Sequence, residues 1–227
     1  MILFDPKEHS PAKAQGMLSQ VVAPRPIAMI STADAMDLPN VAPFSYFMAV
    51  TGEPLLVAIS MGLRQSDVQE KDTYRNAMAR GDLVINVTVD RFRDQIETAA
   101  MEFPSHISEV EALDWTAIPS QRVSSPSIAE SPVHLECQIH KVVDLGSPGV
   151  LGSGVHLVIA EVVCIVMDES VCTADGRVDQ QKLAPIGRMG FPWFNRTTED
   201  SLFQLERVPY RESVFFENDN DKTDKKK

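Results

Sequence analysis

Val133-His134-Leu135-Glu136-Cys137-Gln138-Ile139-His140-Lys141-Val142-Val143, and beyond it Val155-His156-Leu157-Val158-Ile159-Ala160-Glu161-Val162-Val163-Cys164-Ile165-Val166-Met167, decide the reading of the fold. In the first run Val133, Leu135, Cys137 and Ile139 alternate with His134, Glu136, Gln138 and His140. Successive side chains of a strand point to opposite faces, so this run predicts a long strand with one buried and one wetter face. The second run is apolar on both faces. It predicts a strand central in a sheet or at a subunit contact. Between them Gly146-Ser147-Pro148-Gly149-Val150-Leu151-Gly152-Ser153-Gly154 reads as a hairpin loop.

Working outward, Ile27 to Thr32 is apolar and β-prone, and Pro24-Arg25-Pro26 gives it an extended entry. A turn-rich stretch, 33–39, leads to a return strand over Asn40–Phe44. Leu55–Ser60 reads as a third strand and Leu83–Val89 as a further one. Helices are expected at 11–20 (Ser10 as cap, Pro11 in the first turn), 72–80 (Asp72 or Thr73 as cap, Gly81 past the end), 91–101 and near 179–183. The stretch 102–131 is rich in Pro and Ser and reads as irregular. Many hairpin-linked strands and few helices predict a mainly β fold with helices, a small antiparallel barrel whose ends the helices cover. Strand and helix do not alternate strictly, which argues against a doubly wound parallel sheet.

The 227 residues are 44% hydrophobic and 23% charged, the composition of a globular protein with a sizeable core. A net charge of -11 argues against nucleic-acid partners and anionic membrane surfaces, which reward clustered Lys and Arg. The one dense basic run, Lys225-Lys226-Lys227, follows Asn218-Asp219-Asn220-Asp221 and reads as a solvated tail. Cys137, Cys164 and Cys172 show no paired spacing, which predicts a reducing compartment. The start, Met1 to Pro6, lacks the charged and apolar regions of a secretory signal. No apolar run reaches the roughly 18 residues of a membrane span. A cytoplasmic protein without membrane contact is the expectation.

Two short segments carry chemistry. Lys71-Asp72-Thr73 stands at the start of the expected 72–80 helix. A helix start exposes unpaired amides and the positive end of the macrodipole, so a phosphate there gains several donors. Lys71 and the Thr73 hydroxyl add to them, whereas acidic Asp72 is expected to cap the helix or to hold Lys71. Ser31-Thr32 and Asn40-Val41-Ala42-Pro43-Phe44-Ser45 place hydroxyls, an amide and approachable backbone at neighbouring strand ends. Together they read as a cradle for a flat, phosphorylated cofactor, foremost flavin mononucleotide (FMN). Rival chemistries lack their signatures. There is no G-x-S-x-G elbow, Gly152-Ser153-Gly154 does not continue into a dinucleotide fingerprint, and the Cys and His residues lack zinc spacing. No metal ligand and no catalytic acid or base is assigned.

In order along the chain, Arg25-Pro26-Ile27-Ala28-Met29-Ile30-Ser31-Thr32, Pro39-Asn40-Val41-Ala42-Pro43-Phe44-Ser45-Tyr46-Phe47 and Lys71-Asp72-Thr73-Tyr74-Arg75-Asn76 are followed by four more matching segments. These are Gly81-Asp82-Leu83-Val84-Ile85-Asn86-Val87, Ala129-Glu130-Ser131-Pro132-Val133-His134-Leu135-Glu136-Cys137, Gly176-Arg177-Val178-Asp179 and Pro185-Ile186-Gly187-Arg188-Met189-Gly190. In this order they resemble the flavin reductase-like family, the FMN-binding split-barrel proteins that include flavoredoxin. The resemblance covers about 20–195. It implies an N-terminal extension (1–20), a split-barrel domain (21–195) and a C-terminal extension with an acidic and basic tail (196–227). It implies a homodimer with FMN near the subunit contact, held by Ser31, Thr32, Asn40, Val41, Ala42, Ser45, Ser60, Lys71 and Thr73. Arg64 is placed as a further phosphate contact, and His156 and Arg188 near the nicotinamide. The implied activity is hydride transfer from NADH or NADPH to the flavin, then onward to a small acceptor or a redox partner protein. A non-catalytic FMN-binding electron carrier and a dimeric scaffold are the alternatives. One departure is Ala160, where relatives often carry glycine and a methyl group would narrow a close backbone approach.

Overall fold

The structure, a computed structural model, describes residues 1–146 and 154–207. Most of the glycine-rich loop and the end of the tail, 147–153 and 208–227, lie outside the described residues. The strands run in chain order as β1 (Arg25–Pro26), β2 (Ala28–Ala33), β3 (Pro39–Phe44), β4 (Phe47–Gly52), β5 (Leu55–Gly62), β6 (Asp82–Val87), β7 (Ala117–Ile118), β8 (Ser127–Ile128), β9 (Val133–Asp144), β10 (Val155–Met167), β11 (Ile186–Arg188) and β12 (Phe194–Arg196). The α-helices are α1 (Pro11–Val21), α2 (Asp72–Arg80), α3 (Ile96–Ala99), α4 (Glu109–Ala112) and α5 (Gln180–Leu183).

One antiparallel sheet dominates, in the order β3-β2-β6-β9-β10-β5-β4. Its edge strands, β3 and β4, are separated in the chain only by Ser45 and Tyr46. The sheet therefore curls until its two edges meet, and no ladder joins them. The Ser60 amide donates to the Tyr46 carbonyl at 2.9 Å beside this seam. The result is a barrel split at Ser45–Tyr46. A smaller sheet, β1-β11-β12, and the pair β7-β8 lie outside it.

Period-2 alternation divides the core into two layers. Ala28 and Ile30 of β2 join Ile59, Leu83, Ile85, Cys137, Val158 and Ala160 inside the barrel, with Ala77 of α2. Met29 and Val41 face the other way and pack with Phe92, Ile96, Val110, Trp115 and Ile128. Strand β2 is thus buried on both faces, as its continuous apolar run requires. Ala160 fills the barrel interior, and its methyl group is part of that packing.

The two long strands form where the sequence places them, but the wetter face expected of β9 fails over its first half. His134 and Glu136 are buried there, His134 against Asn86 Oδ1 and Glu136 accepting from the Gln121 and Arg122 amides, because the 120–128 segment covers that face. β10 is inner between β9 and β5 from Val155 to Glu161, and from Val162 onward it pairs with β9 alone. Helix α1 has Ser10 accepting from the Lys13 amide and Pro11 in its first turn. Helix α2 ends at Gly81, whose φ of 76° is the left-handed cap. Its N-cap is Lys71, which makes no side-chain capping bond, and not Asp72 or Thr73. Three further expectations need correction. β4 went unforeseen because Phe47–Val50 has no alternation to separate it from β5. The 91–101 helix is broken into a 3-10 turn, Asp90–Phe92, and the single turn α3. Phe92 packs edge-on against Trp115 at 4.9 Å, and this tertiary contact overrides local propensity. The 102–131 stretch carries α4, β7 and β8.

Candidate functional site

The seam of the barrel and the tip of α2 face one another across a cleft. Its narrow end, about 60 Å³, is lined by Asn40, Ala42, Pro43, Arg64, Lys71 and Thr73, with Asp72, Glu102, Phe103 and Glu109 among the other walls. An adjoining cavity of about 200 Å³ shares Pro43 and Ala100 with it and is lined by Ser45, Glu97, Arg188 and Phe194. Each is smaller than the ~300 Å³ at which ligand pockets usually begin. A nucleotide-sized ligand therefore needs both, and an open side.

Asn40 organises the narrow end. Its register opposite Thr32 on β2 brings it beneath α2. Its Oδ1 accepts from the hydroxyls of Thr73 (2.9 Å) and Thr32 (3.2 Å), and its Nδ2 donates to Glu109 Oε2 (2.8 Å). Burial pushes the Glu109 carboxyl up from its ordinary value, and the donors Asn40 and the Val41 amide offset part of that. The α4 turn presents Glu109 because Ser108 caps it, donating to the Pro39 carbonyl and accepting from the Glu111 amide.

Opposite stand the cations. Arg64 Nη1 donates to the Phe103 carbonyl at 3.0 Å and to Asp72 Oδ2 at 3.3 Å. Arg64 Nε is buried without a hydrogen-bond acceptor, although the Asp67 carboxylate lies 3.4 Å away as an ion-pair neighbour. Lys71 Nζ is 3.8 Å from Glu102 Oε1, so Lys71 is held by Glu102 and not by Asp72. Burial pushes the Glu102 carboxyl up, but the Ser66 side chain, the Gln65 and Ser66 amides and Lys71 outweigh it and hold the group at about 2. Three carboxylates thus share this end with two cations, so cation count alone does not favour an anion. What favours one is direction. Asp72 is paired with Arg64 and Arg75, and Glu102 and Glu109 spend their lone pairs on amides, while Arg64 Nε and the Asp72 and Thr73 amides at the start of α2 remain donors without acceptors; the next amide, that of Tyr74, already donates to the Lys71 carbonyl. That donor set fits a phosphate.

The cleft brings together Asn40, Ala42, Ser45, Arg64, Lys71, Thr73 and Arg188. It does not bring in the other five expected contacts. Ser31 is fully buried, donating to the Pro126 carbonyl and accepting from Asn86 Nδ2, and Thr32 is equally buried on Asn40. Val41 faces the outer core layer. Ser60 pairs across to Leu157. His156 stacks on Tyr74 at 4.2 Å with its Nε2 3.4 Å from Glu70 Oε1. Thr73 lines the cleft, but its hydroxyl already donates to Asn40 and is left to accept only. Sequence reading missed Glu102, Glu109 and Phe194. Ser108-Glu109-Val110-Glu111 does carry the S-x-x-E signature of a helix start, a signal inside the stretch read as irregular.

Known proteins agree with this architecture. The family model for the flavin reductase-like domain matches residues 21–180. An uncharacterised protein of Halalkalibacterium halodurans is 33% identical over 84% of this chain and 89% of its own length. Among solved structures, nitrilotriacetate monooxygenase component B from Bacillus cereus superposes with a TM-score of 0.81 at 27% identity, over 90% of this chain and 98% of that one. The Pseudomonas fluorescens 2-nitrobenzoate 2-nitroreductase NbaA shares the fold with a TM-score of 0.80 at 24% identity, over 93% and 100% of the two chains. With a family match over most of its length and a split barrel carrying the cleft at its seam, this chain belongs to the flavin reductase-like family.

Proposed function

We propose that the protein is an FMN-dependent oxidoreductase that passes a hydride from NADH or NADPH to the flavin, with onward delivery to an acceptor. The convergence of seam and helix tip on one cleft carries the reading. Arg64, Lys71 and the Asp72 and Thr73 amides of α2 would hold the phosphate, and the Arg64 Nε without an acceptor is the observation that fits them to it. Ala42, Pro43, Ser45 and Arg188 would border the ring. Ser31, Thr32 and Val41 act from beneath by fixing the β2–β3 pair and, through Asn40, the tip of α2. Bound FMN supplies the hydride chemistry itself, so the chain needs only to bind, orient and exclude water. A homodimer would supply the wall that the open side of the cleft lacks.

Titrating the purified protein with FMN and recording the visible spectrum tests the cofactor. A perturbed, retained flavin band is expected, and an unshifted band would refute the reading. Anaerobic mixing of the loaded protein with NADH or NADPH then tests the activity. Rapid bleaching supports a reductase, whereas persistent yellow would make the protein an electron carrier.

A further inference from the structure

The wide end of the cleft, the seat of the flavin ring in the reading above, is walled on one part by Ile27, Pro43, Ile96 and Ala100. Its polar groups are few and directed. Arg25 is 8% exposed and buries its guanidinium between α1 and the seam. Its Nη1 donates to the carbonyls of Ser19 and Val22, its Nη2 to that of Met189, and its Nε to Ser45 Oγ at 3.4 Å. One Ser45 lone pair is thus engaged by a cation, and among the described residues the Ser45 O–H meets no protein acceptor. A hydroxyl held from behind in this way presents its proton to the cavity that it lines. Among the described residues Arg188 is the one cation on the cavity wall. Its guanidinium lies 4.2 Å from the Phe194 ring centre and 5.6 Å from that of Phe191. Stacking on a ring fixes the plane of the guanidinium and leaves its N–H edge for an acceptor. Its counter-ion is Glu97, whose side chain is 60% exposed against 18% for Arg188, so water screens the carboxylate more than the cation.

A flavin ring has a methylated edge and a pyrimidine edge that carries carbonyl and ring-nitrogen acceptors. Turned to Ile27, Pro43, Ile96 and Ala100, those acceptors would lose water without gaining a donor. Resting on the flavin reading, we propose that Arg188 and the Ser45 hydroxyl seat the pyrimidine edge, and that Arg188 sets how strongly the site favours reduced flavin over oxidised. Arg25 is the positioning residue for Ser45, and Glu97 is the charge that damps Arg188. In the proposed reaction the C4–H bond of the dihydronicotinamide breaks, and the hydride forms an N–H bond at flavin N5. The nicotinamide is oxidised by two electrons and the flavin is reduced by the same two. No second proton enters, so the pyrimidine ring is left with a negative charge. A fixed cation at that edge gains most once the charge has arrived, which is the condition for favouring product formation. Arg188 therefore raises the potential of the bound flavin, and Glu97 lowers it.

The midpoint potential of bound FMN and its affinity for sulfite test this without turnover. Sulfite bonds to N5 of oxidised flavin, bleaches the visible band and leaves the same negative charge on the pyrimidine ring. Arg188→Ala should weaken sulfite at least about tenfold, the scale of one charge-assisted hydrogen bond. It should lower the potential by at least about 30 mV, the two-electron equivalent of that factor. Arg188→Lys should recover part of both. Glu97→Gln, an exposed and nearly isosteric change, should move both the opposite way. Ser45→Ala should lower the potential, whereas Ser45→Thr, which keeps the hydroxyl, should hold it. An unmoved potential in Arg188→Ala, or an unmoved or lowered one in Glu97→Gln, would overturn the proposal. An unmoved potential in Ser45→Ala would overturn the seat assigned to Ser45 and, with it, the role of Arg25. If Arg188→Ala no longer holds FMN, Glu97→Gln still decides the matter. The absorbance titration of the native protein is read separately. Failure to bind FMN there refutes the cofactor itself, whereas retained flavin with unmoved potentials refutes only the role given to Arg188.

Discussion

At the scale of single residues, the phosphate end is a problem of direction more than of charge. Lys71 is 30% exposed in its side chain and shares its charge with Glu102. Lys71→Ala is expected to weaken FMN by about 1–3 kcal/mol, the cost of a lost charged hydrogen bond. Riboflavin, which has no phosphate, should lose much less. Fluorescence titration of both ligands checks this, and equal losses would place Lys71 away from the phosphate. Glu102 has a separate signature in pH. Its folded pKa of about 2 lies below its ordinary 4.5, so its contribution to stability is fully present above pH 4.5 and is lost as pH falls toward 2. Glu102→Gln should be less stable than the native protein at neutral pH, and the gap should narrow steadily below pH 4.5 in urea denaturation. A gap that stays constant with pH would mean that the fold does not hold this carboxylate in its ionised form. That Lys71 and Thr73 stand at a helix start was legible because a helix start and its side chains adjoin in sequence. The Thr73 hydroxyl was misjudged because Asn40, which takes its proton, is remote in the chain and arrives only through the β2–β3 register.

At the scale of elements, legibility followed periodicity. β9 and β10 alternate or stay apolar over twelve and thirteen residues, and their bounds were readable from that alone. β4 opens on an apolar run without alternation and α4 is a single turn, so no local period marks them. Helix α2 was bounded by Gly81, and that position allows a clean test of its end. Gly81 has φ of 76°, and a Cβ there would meet nothing within 4 Å. The cost of Gly81→Ala is therefore one of backbone conformation alone, about 1 kcal/mol. Denaturation should show that loss, whereas FMN affinity should stay unchanged, because nine residues of helix put ~13 Å between Gly81 and the cradle. A fall in FMN affinity would show that the pose of α2 is coupled along its length to the site.

At the scale of the whole molecule, the split decides where a ligand goes. A closed barrel of this size would fill its interior with side chains, as Ile59, Leu83 and Val158 do here, and would leave no cleft. The seam at Ser45–Tyr46 opens one, yet its two cavities leave an open side. Apolar side chains also remain uncovered nearby in the sheet: Met48 and Val50 on β4, and Val163, Ile165 and Met167 on the half of β10 that pairs with β9 alone. The both-faces apolar reading of β10 gave two outcomes, a central strand or a subunit contact. Its inner half meets the first, and its outer half is the surface on which the proposed second copy would sit. Ile165 is 47% exposed, so Ile165→Glu should leave the isolated fold intact. At a subunit contact the same carboxylate would lose its water without gaining a partner, a cost above the ~1.4 kcal/mol that makes dimerisation tenfold weaker. Sedimentation velocity at a series of concentrations should therefore show the variant shifted to monomer. If the partner copy also walls the cleft, FMN affinity should fall over the same concentration range as the dimer dissociates. An unchanged dimer would move the contact off β10, and a monomer that binds FMN as tightly as the native protein would show that one chain closes the site by itself.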